Sequence, residues 1–118
     1  MHPGYAIDRV YLSCHPVDFR KSIAGLSALV EQELGLNPFD TALFVFINRH
    51  RNRIKILYWD RNGFCLWYKR LEIDRFAWPR GEAGSTVNLS SQALQWLLEG
   101  FDIWSHGPHK TLNYQCVT

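Results

Sequence analysis

The basic side chains carry the first chemical signal. From Arg49 to Arg70 the chain holds seven of them, Arg49, Arg51, Arg53, Lys55, Arg61, Lys69 and Arg70, against one acid, Asp60, for a net of +6. The other residues hold six basic and ten acidic side chains, and the whole 118-residue chain is only +2. A near-neutral chain with one concentrated basic segment points to a local anionic partner. The polar stretch Asn48-Arg49-His50-Arg51-Asn52-Arg53 lies between two apolar runs, as a hairpin turn would. A two-stranded ribbon tipped with Arg fits the major groove of DNA, where guanidiniums grip phosphates or guanine edges. Each neutralised phosphate releases counterions, so such a contact weakens with salt. Arg49, Arg51, Arg53 and Lys55 are the first DNA-contact candidates, and Lys69 and Arg70 the second. Arg53 and Lys55 are two apart and share a strand face, whereas Lys69 and Arg70 lie on opposite faces. The competing reading is a solvated turn whose charges keep the hairpin soluble and its edges unpaired.

Other groups admit other chemistry. Tyr58, Trp59, Trp67 and Tyr68 could stack on unpaired bases beside the basic segment, although strand aromatics more often fill a core or an interface. Arg20 and Lys21 fall where a helix begins, and cations there oppose its dipole. Pairing with Asp60 or Glu72, or holding a phosphate, would offset that conflict. Metal-dependent phosphoryl transfer needs convergent carboxylates. Asp18, Asp60, Glu72 and Asp74 are available, but their spacing follows no nuclease pattern. His106-x-x-His109 with Cys116 lacks a second ligand pair. There is no phosphate-binding glycine loop and no nucleophile elbow. The expectation is a non-catalytic protein without metal or cofactor.

The elements that must position these residues follow from periodicity. Residues 10–14 read as a strand. Asp18 is placed to cap a helix over residues 18–34, whose stripe Ile23, Leu26, Val30 and Leu34 repeats at helical spacing and stops at Gly35. Strands follow at residues 42–47, 54–59 and 64–71, the last two joined at Asn62-Gly63. Residues 75–78 suggest a short fourth strand of the meander, stopped by Pro79, and residues 86–89 an edge strand. Ser90 caps a second helix over residues 91–99, and Gly100 ends it. The fold class expected is α+β, in order β-α-β-β-β-(β)-α. It is an antiparallel meander of about four to five strands packed by two helices. Residues 1–104 form one domain, and residues 105–118 a polar, disordered-type tail. Both sheet faces read apolar, so a second copy is one way to cover them.

Composition sets the outer limits. At 47% apolar and 20% charged residues the chain is an ordinary globular one. No apolar run approaches a membrane span, and the N-terminus lacks the pattern of a signal peptide. Cys14, Cys65 and Cys116 are odd in number and widely spaced, so free thiols in a reducing cytoplasm are expected.

Several stretches carry a resemblance. They are PVDFRKSIAGLSALVEQELGLNPF (residues 16–39), ALFVFINRHRNRIKILYWDRNGFCLWYKRLE (residues 42–72) and RFAWP (residues 75–79), with a weaker match over residues 87–101. Together they resemble the small accessory proteins encoded by the second open reading frame of bacterial insertion sequences of the IS66 family, over about residues 8–103. Ser22 stands where that family commonly has glycine, and His50 in a turn more often built from Arg and Gly. The resemblance implies an accessory role in transposition beside a separate transposase. The partners it implies are double-stranded DNA at the element ends, the transposase, or both. The alternative is a protein-interaction module that docks the transposase without touching DNA.

Overall fold

The protein is described by a computed structural model over residues 9–105 and 115–117. Its elements in chain order are β1 (Arg9–Ser13), α1 (Ile23–Gln32), β2 (Ala42–Ile47), β3 (Arg53–Asp60), β4 (Gly63–Arg70), β5 (Thr86–Leu89), α2 (Ser91–Leu98) and β6 (Gln115–Val117). Among the described residues, one sheet contains every strand, in the order β4-β3-β2-β1-β5-β6. The fold is α+β, as the residue pattern implies.

The sheet is mixed. β2, β3 and β4 form the antiparallel meander, but β1 runs parallel to β2, with Tyr11 beside Phe44. A parallel pair needs a long crossover, and the α1 segment between β1 and β2 supplies it. β5 runs antiparallel to β1. Expected as an edge, β5 is instead interior, because residues 115–117 of the C-terminal segment pair with its other side. Residues 75–78 are not a strand. Phe76 and Trp78 both drop into the core, at 2% and 6% exposure, so the segment crosses the sheet as a lid and does not extend it. Its fixings are polar: Trp78 Nε1 donates to the Ser13 carbonyl at 3.1 Å, and Trp104 Nε1 to the Ala77 carbonyl at 2.9 Å.

The two helices lie on opposite faces. Leu26, Leu29 and Val30 of α1 pack on Ala42, Phe44, Phe46 and Leu57. On the other face Ala93, Leu94 and Leu97 of α2 join Phe76, Trp78 and Ile103 over Leu43, Val45, Ile47, Ile54 and Ile56. Both apolar faces are thus covered within one chain, and neither requires a second copy.

Local capping explains the helix limits. α2 begins as its residues suggest, with Ser90 Oγ accepting the Ala93 N–H at 3.0 Å. α1 is shorter than its apolar stripe. It starts at Ile23, because the Asp18 carboxylate takes the Arg20 N–H, at 2.9 Å, inside a turn and not at a helix cap. It ends at Gln32 with Glu33 as its C-cap, earlier than the expected stop at Gly35; Gly35, at φ +66°, then turns the chain so that the Leu36 N–H reaches the Val30 carbonyl. The β3–β4 connection is shifted by one residue from its Asn-Gly signal. Arg61 and Asn62 form the turn, Gly63 already pairs with Asp60, and Arg61 takes the positive φ of +55°.

The Phe76 lid gives a direct test. Phe76→Ala should lower the unfolding free energy by about 3–5 kcal/mol, the range for emptying a buried aromatic site. Ile73→Ala, three residues earlier and 93% exposed, should stay within about 0.5 kcal/mol. Urea denaturation of both variants checks the difference.

Candidate nucleic-acid interface

The turn before β3 is built around Asn48. Its side chain is buried, and its Oδ1 accepts the N–H groups of Asn52 and Arg53 at 3.0 and 2.9 Å. Its Nδ2 donates to Asn52 Oδ1 at 2.7 Å. Two further bonds tie this turn to the chain beyond β4: the Leu71 N–H reaches the Asn52 carbonyl, and the Phe76 N–H the Arg51 carbonyl. The hairpin tip is therefore held from inside and from behind. Arg51 sits there at φ +61°, a left-handed conformation that a residue with a side chain adopts at some cost.

Strand register then gathers the cations. Arg53 pairs with Arg70, and Lys55 with Tyr68. Residues opposite one another share a face, so all four project towards the α1 side of the sheet. The Arg53–Arg70 rung is the non-hydrogen-bonded type, because the next rung outward carries the Leu71 N–H to Asn52 bond. Such rungs bring side chains closest, and like charges across them repel. Arg53 Nε is also shielded from solvent and has no hydrogen-bond partner among the described residues. Arg70 is only partly neutralised, by exposed Glu72 at 2.8 Å.

The six first- and second-rank candidates do not act alike. Arg49, Arg51, Arg53 and Arg70 lie at one end of the sheet, with Arg49 exposed at the tip. Lys55 points to the same end, but its ammonium donates to the carbonyls of Phe19 and Lys21 at 2.9 and 3.0 Å and lies over the Phe19 ring. Burial pushes its pKa down. It acts first as a strut that fastens the turn before α1 to β3. Lys69 is on the opposite face, where it donates to the Leu98 carbonyl at 2.7 Å and neutralises the C-terminal end of α2.

Arg20 and Lys21 precede α1 and so do not oppose its first turn from within. Through the Lys55 strut they stand at the same end of the sheet as Arg53 and Arg70. The partner of Arg20 is neither Asp60 nor Glu72 but Asp18, which it grips through Nε and Nη2, the shortest contact being 2.6 Å. That hydrogen bonding holds the Asp18 carboxyl at about 2, below its ordinary 3.8. Lys21 is exposed and has no side-chain hydrogen bond among the described residues.

Two features escaped the sequence. Arg75 is exposed beside the tip, because its neighbour Phe76 bonds to Arg51. Of the four candidate stacking rings, Tyr68 stands apart at 47% exposure. Tyr58 and Trp67 pack against the core on the other face, and Trp59 meets Phe39 and Phe64 edge-on. Among the described residues no three His, Cys, Asp or Glu side chains converge as metal ligands would. His106 and His109 lie outside the described residues, as does the side chain of Cys116. No helix among the described residues is long and apolar enough to cross a membrane.

The described residues thus form a helix-faced mixed sheet with a cationic end and one exposed ring. Comparison with known proteins gives the family. A family model described as IS66 Orf2-like protein matches residues 8–108. An uncharacterized protein of Sinorhizobium fredii, y4hO, is 39% identical over 103 residues, covering 87% of each chain. A second from the same strain, y4jC, is 33% identical over 102 residues and covers 86% of each. No solved structure matches. The chain belongs to the IS66 Orf2-like family, the accessory proteins of that group of insertion sequences.

Two measurements probe this arrangement. Asn48→Ala should cost about 1–3 kcal/mol in urea denaturation, since two backbone N–H groups would be without their shared acceptor. An NMR titration of the Asp18 carboxyl should give a midpoint near 2, rising towards 3.8 in Arg20→Ala. The pair's contribution to stability is present above the unfolded value and disappears as the pH falls through the folded one.

Proposed function

We propose that this protein is a non-catalytic accessory factor in transposition that binds element DNA through the cationic end of its sheet. The observation that carries this reading is the Arg53–Arg70 rung. Two guanidinium-bearing residues are held side by side, with one Nε desolvated and unpartnered among the described residues. An isolated domain gains nothing from that arrangement, whereas a phosphate bridging the two guanidinium groups would offset their repulsion. Arg51 supports it independently. Glycine would occupy its left-handed position without strain, so the arginine is kept there at a cost in stability, as side chains at functional positions often are. Arg49, Lys21 and Arg75 widen the surface.

A second reading has its own support. Trp96 and Phe101, both exposed, line an open cleft of about 270 Å³ with Asp102 and Ile103. A transposase side chain could dock there without any DNA contact by this protein.

The deciding experiment is fluorescence anisotropy with a duplex from the element's terminal inverted repeat and a scrambled control, in rising salt. Steep salt dependence is expected. Arg49→Ala and Arg53→Ala each remove one phosphate-binding cation and should each lower the slope by about 0.9. Arg51→Gly should separate the two roles of its position, stabilising the fold by up to about 1 kcal/mol while weakening DNA binding. Lys69→Ala should leave binding unchanged. Absence of binding at low salt would overturn the DNA reading and move the assay to the transposase.

A further inference from the structure

β4 ends the sheet, and among the described residues nothing pairs with its outer edge. Strand register identifies the groups facing outward. The Leu71 N–H to Asn52 carbonyl bond makes that rung hydrogen-bonded, and rungs alternate along an antiparallel ladder. Lys69, Trp67 and Cys65 therefore bond inward to β3, while Phe64, Leu66, Tyr68 and Arg70 direct N–H and C=O outward. The Asn48 N–H to Arg53 carbonyl bond on the other side of β3 gives the same phase. This edge is eight residues long. It lacks the usual protections: it contains no proline, and its charges, Lys69 and Arg70, are confined to one end.

We propose that two copies of this chain pair antiparallel through β4, with Leu66 opposite Leu66 on the two-fold axis. The outward row is self-complementary about that point, aromatic-Leu-aromatic in either direction. Phe64 falls opposite Tyr68 of the second copy, and Cys65 opposite Trp67. Lys69 meets Gly63, and Arg70 meets Asn62, so no like charges face each other directly. Parallel in-register pairing would set Arg70 against Arg70. The antiparallel register forms about six backbone hydrogen bonds from three rungs and covers Tyr68, otherwise 47% exposed. It leaves both α1 helices on one side of a continuous sheet. The two Arg53–Arg70 rungs then lie roughly 27 Å apart along the strands, at about 3.4 Å per residue.

Analytical ultracentrifugation of the full chain from about 1 to about 100 µM covers the range in which a small interface associates. The mass should rise from one chain to two across that series. Tyr68→Pro removes an outward N–H and leaves the β3–β4 bonds intact, a place where an edge strand tolerates proline. It should weaken association at least about 30-fold, having removed two symmetric bonds. Leu66→Lys should do the same by placing two ammonium groups together, and it decides the matter should circular dichroism find Tyr68→Pro unfolded. Hydrogen exchange at the Leu66 and Tyr68 amides should slow as concentration rises. A wild-type mass of one chain throughout would overturn the proposal. So would undiminished dimerisation of either variant in its folded form.

Discussion

All six residues of β2 are buried. A strand apolar on both faces must lie inside its sheet and between two layers, since either face left open would hold large hydrophobic side chains in water. That demand accounts for most of the architecture. Phe44 and Phe46 require a lid on one side, and the β1–β2 crossover supplies it as α1. Leu43, Val45 and Ile47 require another, which the chain assembles late, from Phe76, Trp78, α2 and Ile103. The first lid is one amphipathic helix. The second is a composite in which indole N–H groups bond to backbone carbonyls, so an irregular segment is fastened without lengthening the sheet.

The polar chemistry is subordinate to this frame. Lys55 sits on a rung of β3 facing α1 and fastens the turn that carries Arg20 and Lys21. Lys69, on the other face of β4, fastens the end of α2. Two of the basic residues in the richest stretch of the chain thus serve as struts between layers. Of the five cations left, Arg61 is exposed in the β3–β4 turn, while Arg49, Arg51, Arg53 and Arg70 gather at the other end of the strands. Their positions follow from a firmly tied turn, where one buried asparagine satisfies two backbone donors. The cationic end is consequently presented on a turn held by hydrogen bonds from within and from the chain beyond β4.

The meander, its connecting turns and the α+β class were legible because they rest on local signals. β2 and β5 fall on the residues expected, and Ser90 caps α2. The basic hairpin and its sharing of one face by Arg53 and Lys55 were equally legible, since a strand repeats every two residues. Where two local signals competed, the residue pattern was a weaker guide. Asp18 is as able to fold back on Arg20 as to cap a helix, and it does the former. Residues 75–78 alternate as a strand would, yet no neighbouring strand receives them.

Residues close together in the chain were thus enough to define the family, most of the elements and the existence of a basic hairpin. Long-range packing set the rest: β1 runs parallel to β2, the helices take opposite faces, and β5 is interior. It also spends Lys55 and Lys69 on carbonyls from distant segments while setting Arg53 and Arg70 against each other. These are contacts between groups 17 to 36 positions apart. They are fixed by how both faces of the sheet are covered, which no short window of sequence contains.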